Sequence, residues 1–370
     1  MTVPLFDPLG VRQVTIRNRI WLAPMCQYSC RDRNGVPDDW HLVHLGARAA
    51  GGFGLVMTEA AAVSPEGRIT AEDAGIWNDA QADAWGRIAA FVTRQGAVPA
   101  MQLAHAGRKG STYSFWHAER GTVPADEGGW TTLAPSSIPF EGYLAPESLS
   151  VAAIAQVVTD FAAAAGRADG AGFEVVEIHA AHGYLLHQFL SPLSNSRTDS
   201  YGGSLKNRAR LLTEIVTAVR KVWPEGKGLF VRFSGTDWVE GGWTLGETVQ
   251  VARWVSDLGV DLVDLSSGGT AATARIPVGP GYQVPLAAQV RAQSGVRTAA
   301  VGLITEPAQA AEIVASGKAD AVMLARAALR EPSWPLRAAH ELGLPRQDTP
   351  YPPQYTRGAW PREPAVARSA

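Results

Sequence analysis

The sequence has few cysteines and little charge for its length of 370 residues. Its two cysteines, Cys26 and Cys30, are too few for a four-cysteine iron–sulfur cluster. They could pair, although a cytosolic chain normally keeps its thiols reduced. Charged residues make up 18% of the chain and the net charge is −2. This balance favours neither a nucleic-acid partner nor an anionic membrane surface.

The sequence also lacks a recognisable targeting or membrane segment. No apolar run reads as long enough to span a bilayer, and the N-terminus has no basic region followed by an apolar stretch. We therefore expect a cytoplasmic protein with no membrane partner. The hydrophobic fraction of 46% is enough for a sizeable core.

Short apolar runs alternate with helical patterns along the chain. Eight strands are predicted at 20–25, 54–59, 98–103, 173–179, 229–233, 261–265, 297–301 and 321–324. Helices are predicted at 80–93, 151–168, 207–222, 245–258, 284–293 and 307–316. This order predicts one (β/α)8 TIM barrel domain over residues 1–370. The alternative is an open doubly wound sheet, but no Gly-x-Gly-x-x-Gly follows an early strand.

Two segments depart from this repeat. Residues 104–149 form a long insertion after the third strand, rich in Gly, Pro, Trp and Tyr. Long irregular loops in compact domains are usually functional, so we predict a capping insertion. The Pro-rich tail at 344–370 is predicted to be extended, because a Pro-Pro step precedes Arg357. A frayed tail is the alternative, but its aromatic residues favour packing on another surface.

Two imidazoles and a phenol, His179, His182 and Tyr184, follow the fourth predicted strand. Active residues of barrels lie at the C-terminal ends of strands. Two ring N–H groups can hold a carbonyl oxygen while a phenol delivers a proton beside it. The pattern therefore indicates chemistry on a carbonyl-activated substrate, with these three as the catalytic residues. Zinc is a weaker alternative because His-Glu-x-x-His is absent, and we predict no metal. A satisfied core histidine is the other alternative.

Polar groups at other strand ends indicate a flat cofactor with a phosphate. Arg232 lies inside the fifth predicted strand, where a cation needs an anion or an acceptor. A structural ion pair is an equal alternative for this residue alone. Gln102 would add an amide in the same layer. Gly302 and Arg326 follow strands seven and eight, where barrels commonly bind phosphate. Flavin mononucleotide (FMN) satisfies all of these groups together.

These residues and three further motifs resemble the Old Yellow Enzyme family of ene-reductases over nearly the whole chain. The motifs are Asn-Arg-Ile at 18–20, Ala-Pro-Met-Cys-Gln-Tyr at 23–28 and Gln-Tyr-Thr-Arg-Gly at 354–358. The cysteine at position 26 is typical of a bacterial subgroup. The resemblance implies non-covalent FMN, NADPH as electron donor, and α,β-unsaturated ketones, aldehydes, maleimides or nitroalkenes as substrates.

The resemblance also implies a role for each site residue. Those expected to contact FMN are Ala23, Pro24, Met25, Cys26, Ala60, Gln102, Arg232, Ser267, Gly302, Leu303, Ala325 and Arg326. The histidine pair would bind the substrate oxygen and Tyr184 would protonate Cα. Tyr28, Lys109 and Arg357 would contact the substrate. Arg357 would reach the neighbouring subunit's site, which implies a homodimer or a dimer of dimers.

Two rival functions remain on the residues alone. A dienoyl-CoA reductase shares the FMN barrel but adds an iron–sulfur cluster and further domains, for which the chain lacks cysteines and length. A flavin-binding redox sensor would use Cys26 and Cys30 as its switch, but it would leave Tyr184 without a purpose.

Overall fold

Eight parallel strands close into a barrel in chain order. The structure, a computed structural model, describes residues 3–360. The barrel strands are β1 (Ile20–Leu22), β2 (Leu55–Ala62), β3 (Val98–Ala104), β4 (Val175–Ala180), β5 (Gly228–Ser234), β6 (Leu262–Ser266), β7 (Arg297–Ala300) and β8 (Ala321–Leu324). β8 pairs with β1, with Val322 opposite Ile20, so the sheet has no free edge. The predicted TIM barrel is confirmed, and the open-sheet alternative is wrong.

A helix follows each barrel strand on the outside. These helices are α1 (Asp39–Ala50), α2 (Asp79–Arg94), α3 (Val151–Gly170), α4 (Arg210–Val222), α5 (Leu245–Asp257), α6 (Val284–Ser294), α7 (Pro307–Ala315) and α8 (Trp334–Glu341). Short helices lie at Leu185–Leu190, Leu205–Arg208 and Arg326–Arg330. The helix predicted at 207–222 is split at Ala209. The sequence reading missed α1 and α8, although Asp38 caps α1 by accepting a hydrogen bond from Trp40 N–H.

The barrel interior is filled with side chains below the C-terminal ends of its strands. Trp21 and Phe230 stack there with their ring centroids 5.8 Å apart. An antiparallel hairpin, Leu9–Val11 with Val14–Ile16, adds its buried residues to the same cluster. A second apolar layer lies between the strands and the helices. The packed interior leaves the C-terminal strand ends as the place for a site.

The insertion after β3 is mostly irregular and is fixed by one buried cation. Its only paired strands in the described chain are Leu133–Ala134 and Glu147–Ser148, two residues each. The Arg108 guanidinium donates to the carbonyls of Ile138 at 3.1 Å, Pro139 at 3.3 Å and Thr270 at 2.7 Å. One side chain thus joins the start of the insertion, its later half and the loop after β6.

The sequence predicted an extended tail, but the tail is not extended throughout. Pro353–Gly358 form a 3-10 helix, because proline is tolerated in a first helical turn, where its missing N–H has no partner to lose. Trp360 stacks on His340 with ring centroids 5.3 Å apart. Arg357 is exposed within the single chain. Residues 361–370 of the predicted tail lie outside the described residues.

One helix in the described chain, α3, is long and apolar enough by composition to cross a membrane. A single such helix is weak evidence for a membrane span, because a core helix passes the same test. The helix is rich in alanine, which raises hydropathy without adding large side chains. Its residues Ile154, Val157 and Phe161 are buried, as expected of a barrel helix packed on its neighbours.

Candidate active site

The turn after β4 carries the three predicted catalytic residues. His182 and Gly183 both have left-handed backbone conformations, with φ of 57° and 73°. A Cβ at Gly183 would lie 2.1 Å from the Gly269 carbonyl oxygen. Only glycine can therefore occupy this position, and the loop after β6 packs directly against the turn.

The rings of His179, His182 and Tyr184 lie together at the end of the barrel. The centroid of His179 is 5.1 Å from that of His182 and 5.1 Å from that of Tyr184. His179 Nδ1 accepts a hydrogen bond from the Ala181 N–H at 3.2 Å. A neutral His179 therefore carries its ring proton on Nε2, which is 3.4 Å from His182 Nδ1.

Burial keeps all three groups in their neutral forms. Burial, followed by the charge of Arg232, lowers the pKa of both His179 and His182 well below the usual range. Burial also raises the pKa of the Tyr184 phenol. At pH 7 the site therefore offers neutral imidazole donors beside a protonated phenol.

Lys109 holds the same turn from the insertion side. Its Nζ donates to the His182 carbonyl at 2.9 Å and to the Gly269 carbonyl at 3.1 Å. The ammonium also lies 5.1 Å from the Tyr184 ring centroid. Burial, followed by the charge of Arg108, lowers the pKa of Lys109 to about 8. The structure thus places this predicted substrate contact directly beside the catalytic turn.

A buried His–Asp pair behind the turn was missed from the sequence. His187 Nδ1 accepts a hydrogen bond from Gly183 N–H at 2.9 Å, and its Nε2 lies 3.1 Å from Asp237 Oδ1. Burial alone would raise the pKa of Asp237, but the hydrogen bonds and charge of its neighbours, His187 first, lower it to about 2. The only sequence signal was a third histidine five residues after His182.

A layer of polar side chains lies inside the barrel beside the histidines. Arg232 Nε is 2.9 Å from Asp264 Oδ2, although neither atom has hydrogen-bond geometry. Gln102 Nε2 donates to Glu177 Oε1 at 2.7 Å. Burial raises the pKa of Glu177 to about 8. The structural ion pair considered for Arg232 is therefore present, with Asp264 as the partner. The two side chains are not aligned for a hydrogen bond between these atoms.

The loops after β7 and β8 provide a backbone suited to an anion. Gly302 has φ 121° and Leu303 has φ 50°. The φ of Gly302 is one that residues with a Cβ rarely adopt, so the position favours glycine. Arg326 is exposed and begins a short helix directly after Ala325. These loops fit a phosphate, and the unaligned Arg232 guanidinium fits a polar ring, so the residues fit FMN.

The segment after β1 is fixed by a buried carboxylate that the sequence reading did not single out. Glu59 accepts a hydrogen bond from Gln27 N–H at 2.9 Å and lies 3.1 Å from His41 Nε2. Both cysteines are free thiols. Burial raises the pKa of the Cys26 thiol, so it is a poor nucleophile. The neighbouring FMN candidates Ala23, Pro24, Met25 and Ala60 are buried or partly buried.

Tyr28 joins the end of β1 to the insertion. Its ring centroid is 6.2 Å from that of Phe115 and 5.7 Å from that of Trp116, both of which are exposed. Tyr28, Phe115 and Trp116 thus form an aromatic cluster between the end of β1 and the insertion. The sequence analysis named only Tyr28 of these three. The structure does not bring Arg357 to this site within one chain. Within residues 3–360, no group of three His, Cys, Asp or Glu is arranged to hold a metal ion.

The fold and the site together define the class of flavin-dependent barrel oxidoreductases. The model of the NADH:flavin oxidoreductase / NADH oxidase family matches residues 4–345. The chain belongs to this family, the Old Yellow Enzyme family, and the resemblance read from the sequence is confirmed. The protein is accordingly a flavin oxidoreductase, and the family implies FMN as the flavin.

Curated relatives and solved structures agree with this assignment. The chain is 45% identical over 359 residues to an NADPH dehydrogenase of Geobacillus thermodenitrificans, covering 97% of this chain and 99% of that protein. Morphinone reductase has a TM-score of 0.77 at 28% identity, covering 92% and 90%. The old yellow enzyme homologue of Zymomonas mobilis has a TM-score of 0.74 at 28% identity, covering 92% and 93%. A 2-naphthoyl-CoA reductase has a TM-score of 0.83 at 26% identity, but only 53% of it is covered.

Proposed function

We propose that the protein is an NADPH-dependent ene-reductase that reduces the activated C=C bond of α,β-unsaturated carbonyl compounds. The observation that carries this proposal is the cluster of a buried His179 with a partly buried His182 and Tyr184. The ring centroid of His179 lies 5.1 Å from each of the other two. FMN, when bound, supplies hydride transfer from NADPH to the substrate Cβ. Ketones, aldehydes, maleimides and nitroalkenes belong to the expected substrate range.

The chain's own residues bind the substrate oxygen and supply the proton. His179 and His182 donate hydrogen bonds to the carbonyl oxygen, where negative charge grows as Cβ is reduced. Tyr184 then gives its phenolic proton to Cα as a general acid. Lys109 holds the turn that presents these groups, and Tyr28 forms the apolar wall beside them.

The polar layer and the phosphate loops hold FMN without a covalent bond. Arg232 places a cation against the flavin ring, and Gln102 adds an amide from the neighbouring layer. Gly302, Leu303, Ala325 and Arg326 would hold the phosphate end, which is supported by the positive φ of Gly302 and Leu303 and by the exposure of Arg326. The remaining contacts are expected from Ala23, Pro24, Met25, Cys26, Ala60 and Ser267. Denaturation should release free FMN into the supernatant.

The test is anaerobic mixing followed by absorption spectroscopy. NADPH should bleach the flavin, and 2-cyclohexenone should restore its colour. A redox sensor built on Cys26 and Cys30 would be reduced by NADPH but would not be reoxidised by the enone. Reoxidation that is equally fast with saturated cyclohexanone would also contradict the proposal.

We further propose a cytoplasmic homodimer or dimer of dimers. In this arrangement Arg357 contributes to the substrate site of the neighbouring subunit. Its exposure within the single chain, on a 3-10 helix beside the stacked His340 and Trp360, supports this assignment.

A further inference from the structure

We propose that Ser266 is a positioning residue that selects the tautomer of His182, leaving the ring proton on Nδ1. Ser266 ends β6 and is 6% exposed. Its hydroxyl oxygen lies 2.6 Å from His182 Nε2. The inference rests on the proposed function, in which His182 donates a hydrogen bond to the substrate oxygen.

The tautomer of His182 decides how many donors the site presents. His179 Nε2, which carries the proton, is 3.4 Å from His182 Nδ1. A bare Nδ1 would accept that proton and withdraw both groups from the substrate. If Nδ1 of His182 carries the proton instead, the site has two neighbouring N–H donors, His182 Nδ1–H and His179 Nε2–H. One carbonyl oxygen of the substrate can accept hydrogen bonds from both. Only this second tautomer makes a two-donor oxyanion site.

The surroundings of Ser266 favour donation toward the histidine. Its other acceptor is Gln283 Oε1, at the longer distance of 3.3 Å. That oxygen already accepts the Ser267 hydroxyl at 2.7 Å. Gln283 is held in this orientation because its Nε2 donates to the Val301 carbonyl at 3.1 Å. The hydroxyl proton of Ser266 therefore goes to His182 Nε2, and a neutral ring must carry its own proton on Nδ1.

The direct test is nitrogen NMR of the holoenzyme labelled with 15N in its histidine rings. A His182→Gln spectrum identifies the two ring signals. At neutral pH the wild-type Nε2 should be unprotonated and Nδ1 protonated. In Ser266→Ala the proton should shift to Nε2. A wild-type ring with its proton on Nε2, or the same tautomer in Ser266→Ala, would overturn the proposal.

Substrate affinity gives a second readout. Ser266→Ala should raise the Kd of the oxidised holoenzyme for 2-cyclohexenone roughly tenfold, the effect of one hydrogen bond. Ser266→Thr, which keeps the hydroxyl, should restore both readouts. The matched control is Thr298→Val, which removes a buried and unpartnered hydroxyl at the far end of β7 and should change neither readout. Flavin content shows whether each variant is folded.

The two hypotheses fail separately in these experiments, because the tautomer is measured without turnover. The expected tautomers with no enone reduction would overturn the ene-reductase function and leave the assignment of Ser266 standing. Enone reduction together with a His182 tautomer that is the same in wild type and Ser266→Ala would support the ene-reductase function and overturn the assignment of Ser266.

Discussion

At the scale of single residues, the site keeps each reactive group neutral by burying it. The histidines cannot act as acids at pH 7, because burial holds their pKa well below the usual range. Their proposed role is to orient the substrate and polarise its carbonyl group. Tyr184 is the proposed proton donor, and burial raises the pKa of its phenol and keeps it protonated. This proposed division of roles follows from desolvation.

Replacing Tyr184 by Phe should separate the two half-reactions. The phenol is the proposed acid for Cα, so enone reduction should slow by roughly 10²–10⁴-fold. FMN content and flavin reduction by NADPH should stay close to wild type, since neither uses this proton. Stopped-flow absorption measures both steps. An equal loss in the two half-reactions would indicate a structural role instead.

A buried histidine outside the site should make stability depend on pH. Burial, followed by the charges of Arg48 and His41, lowers the pKa of His44 to about 3. Because the folded pKa lies below the unfolded value, stability is complete above about pH 6.5 and falls as the pH drops toward 3. Between pH 7 and pH 4 the unfolding free energy of the wild type should therefore fall by about 3 kcal/mol more than that of His44→Leu.

Urea denaturation across this pH range checks the effect of His44. Parallel pH profiles for the wild type and His44→Leu would contradict the assignment of a buried neutral imidazole.

The proximity of the proposed catalytic groups could be predicted from the sequence because they follow one another along the chain. His179, His182 and Tyr184 lie within six residues, so the end of one strand brings them together. The supporting groups could not be read in this way. Ser266 comes from β6 and Asp237 from the loop after β5, and only closure of the barrel places them against the turn.

At the scale of elements, the catalytic turn is a rigid connection between β4 and the helix Leu185–Leu190. Gly183 N–H is held by His187 of that helix, and Lys109 of the insertion joins the His182 carbonyl to the Gly269 carbonyl of the loop after β6. The helices α1 and α8 were not predicted from the sequence. Their apolar residues are interrupted by histidine and arginine, so their pattern was weak.

Gly183→Ala tests the rigidity of this turn. The new Cβ would lie 2.1 Å from the Gly269 oxygen, at a φ of 73° that side chains rarely adopt. The displaced rings should lower kcat/KM for enones at least about a hundredfold. Steady-state kinetics and thermal unfolding measure the two effects.

Gly166→Ala is the matched control for Gly183→Ala. Gly166 lies inside α3 with nothing within 4 Å of a new Cβ. This change should raise stability by about 0.5–1 kcal/mol and leave kcat/KM unaltered. If both alanine variants had the same kcat/KM and the same thermal stability, the close approach of the turn after β4 to the loop after β6 would be refuted.

At the scale of the whole molecule, the barrel follows from sequence periodicity, but the assembly does not. Alternating apolar runs predict eight strands, and chain order then sets their neighbours. The tail carries no such pattern. Its 3-10 helix depends on Pro353 at the first turn, and the predicted role of Arg357 requires a second subunit.

Mixing Arg357→Ala subunits with Tyr184→Phe subunits tests whether Arg357 acts across subunits. Arg357→Ala subunits keep Tyr184, and Tyr184→Phe subunits keep Arg357. A mixed dimer would contain one site with both residues intact, so activity should recover above that of either variant alone. Enone reduction after subunit exchange measures the recovery. Mixed dimers that form without any recovery would limit Arg357 to its own chain.

The anchoring of the insertion by Arg108 has an evolutionary consequence. The stretch at 113–131 is largely exposed, and the carbonyls that this guanidinium holds, those of Ile138, Pro139 and Thr270, all lie outside it. Its sequence can therefore drift, or be exchanged between relatives, while the catalytic turn stays in place. Phe115 and Trp116 lie in this stretch, so a new preference for substrate size can arise there without any change in the chemistry.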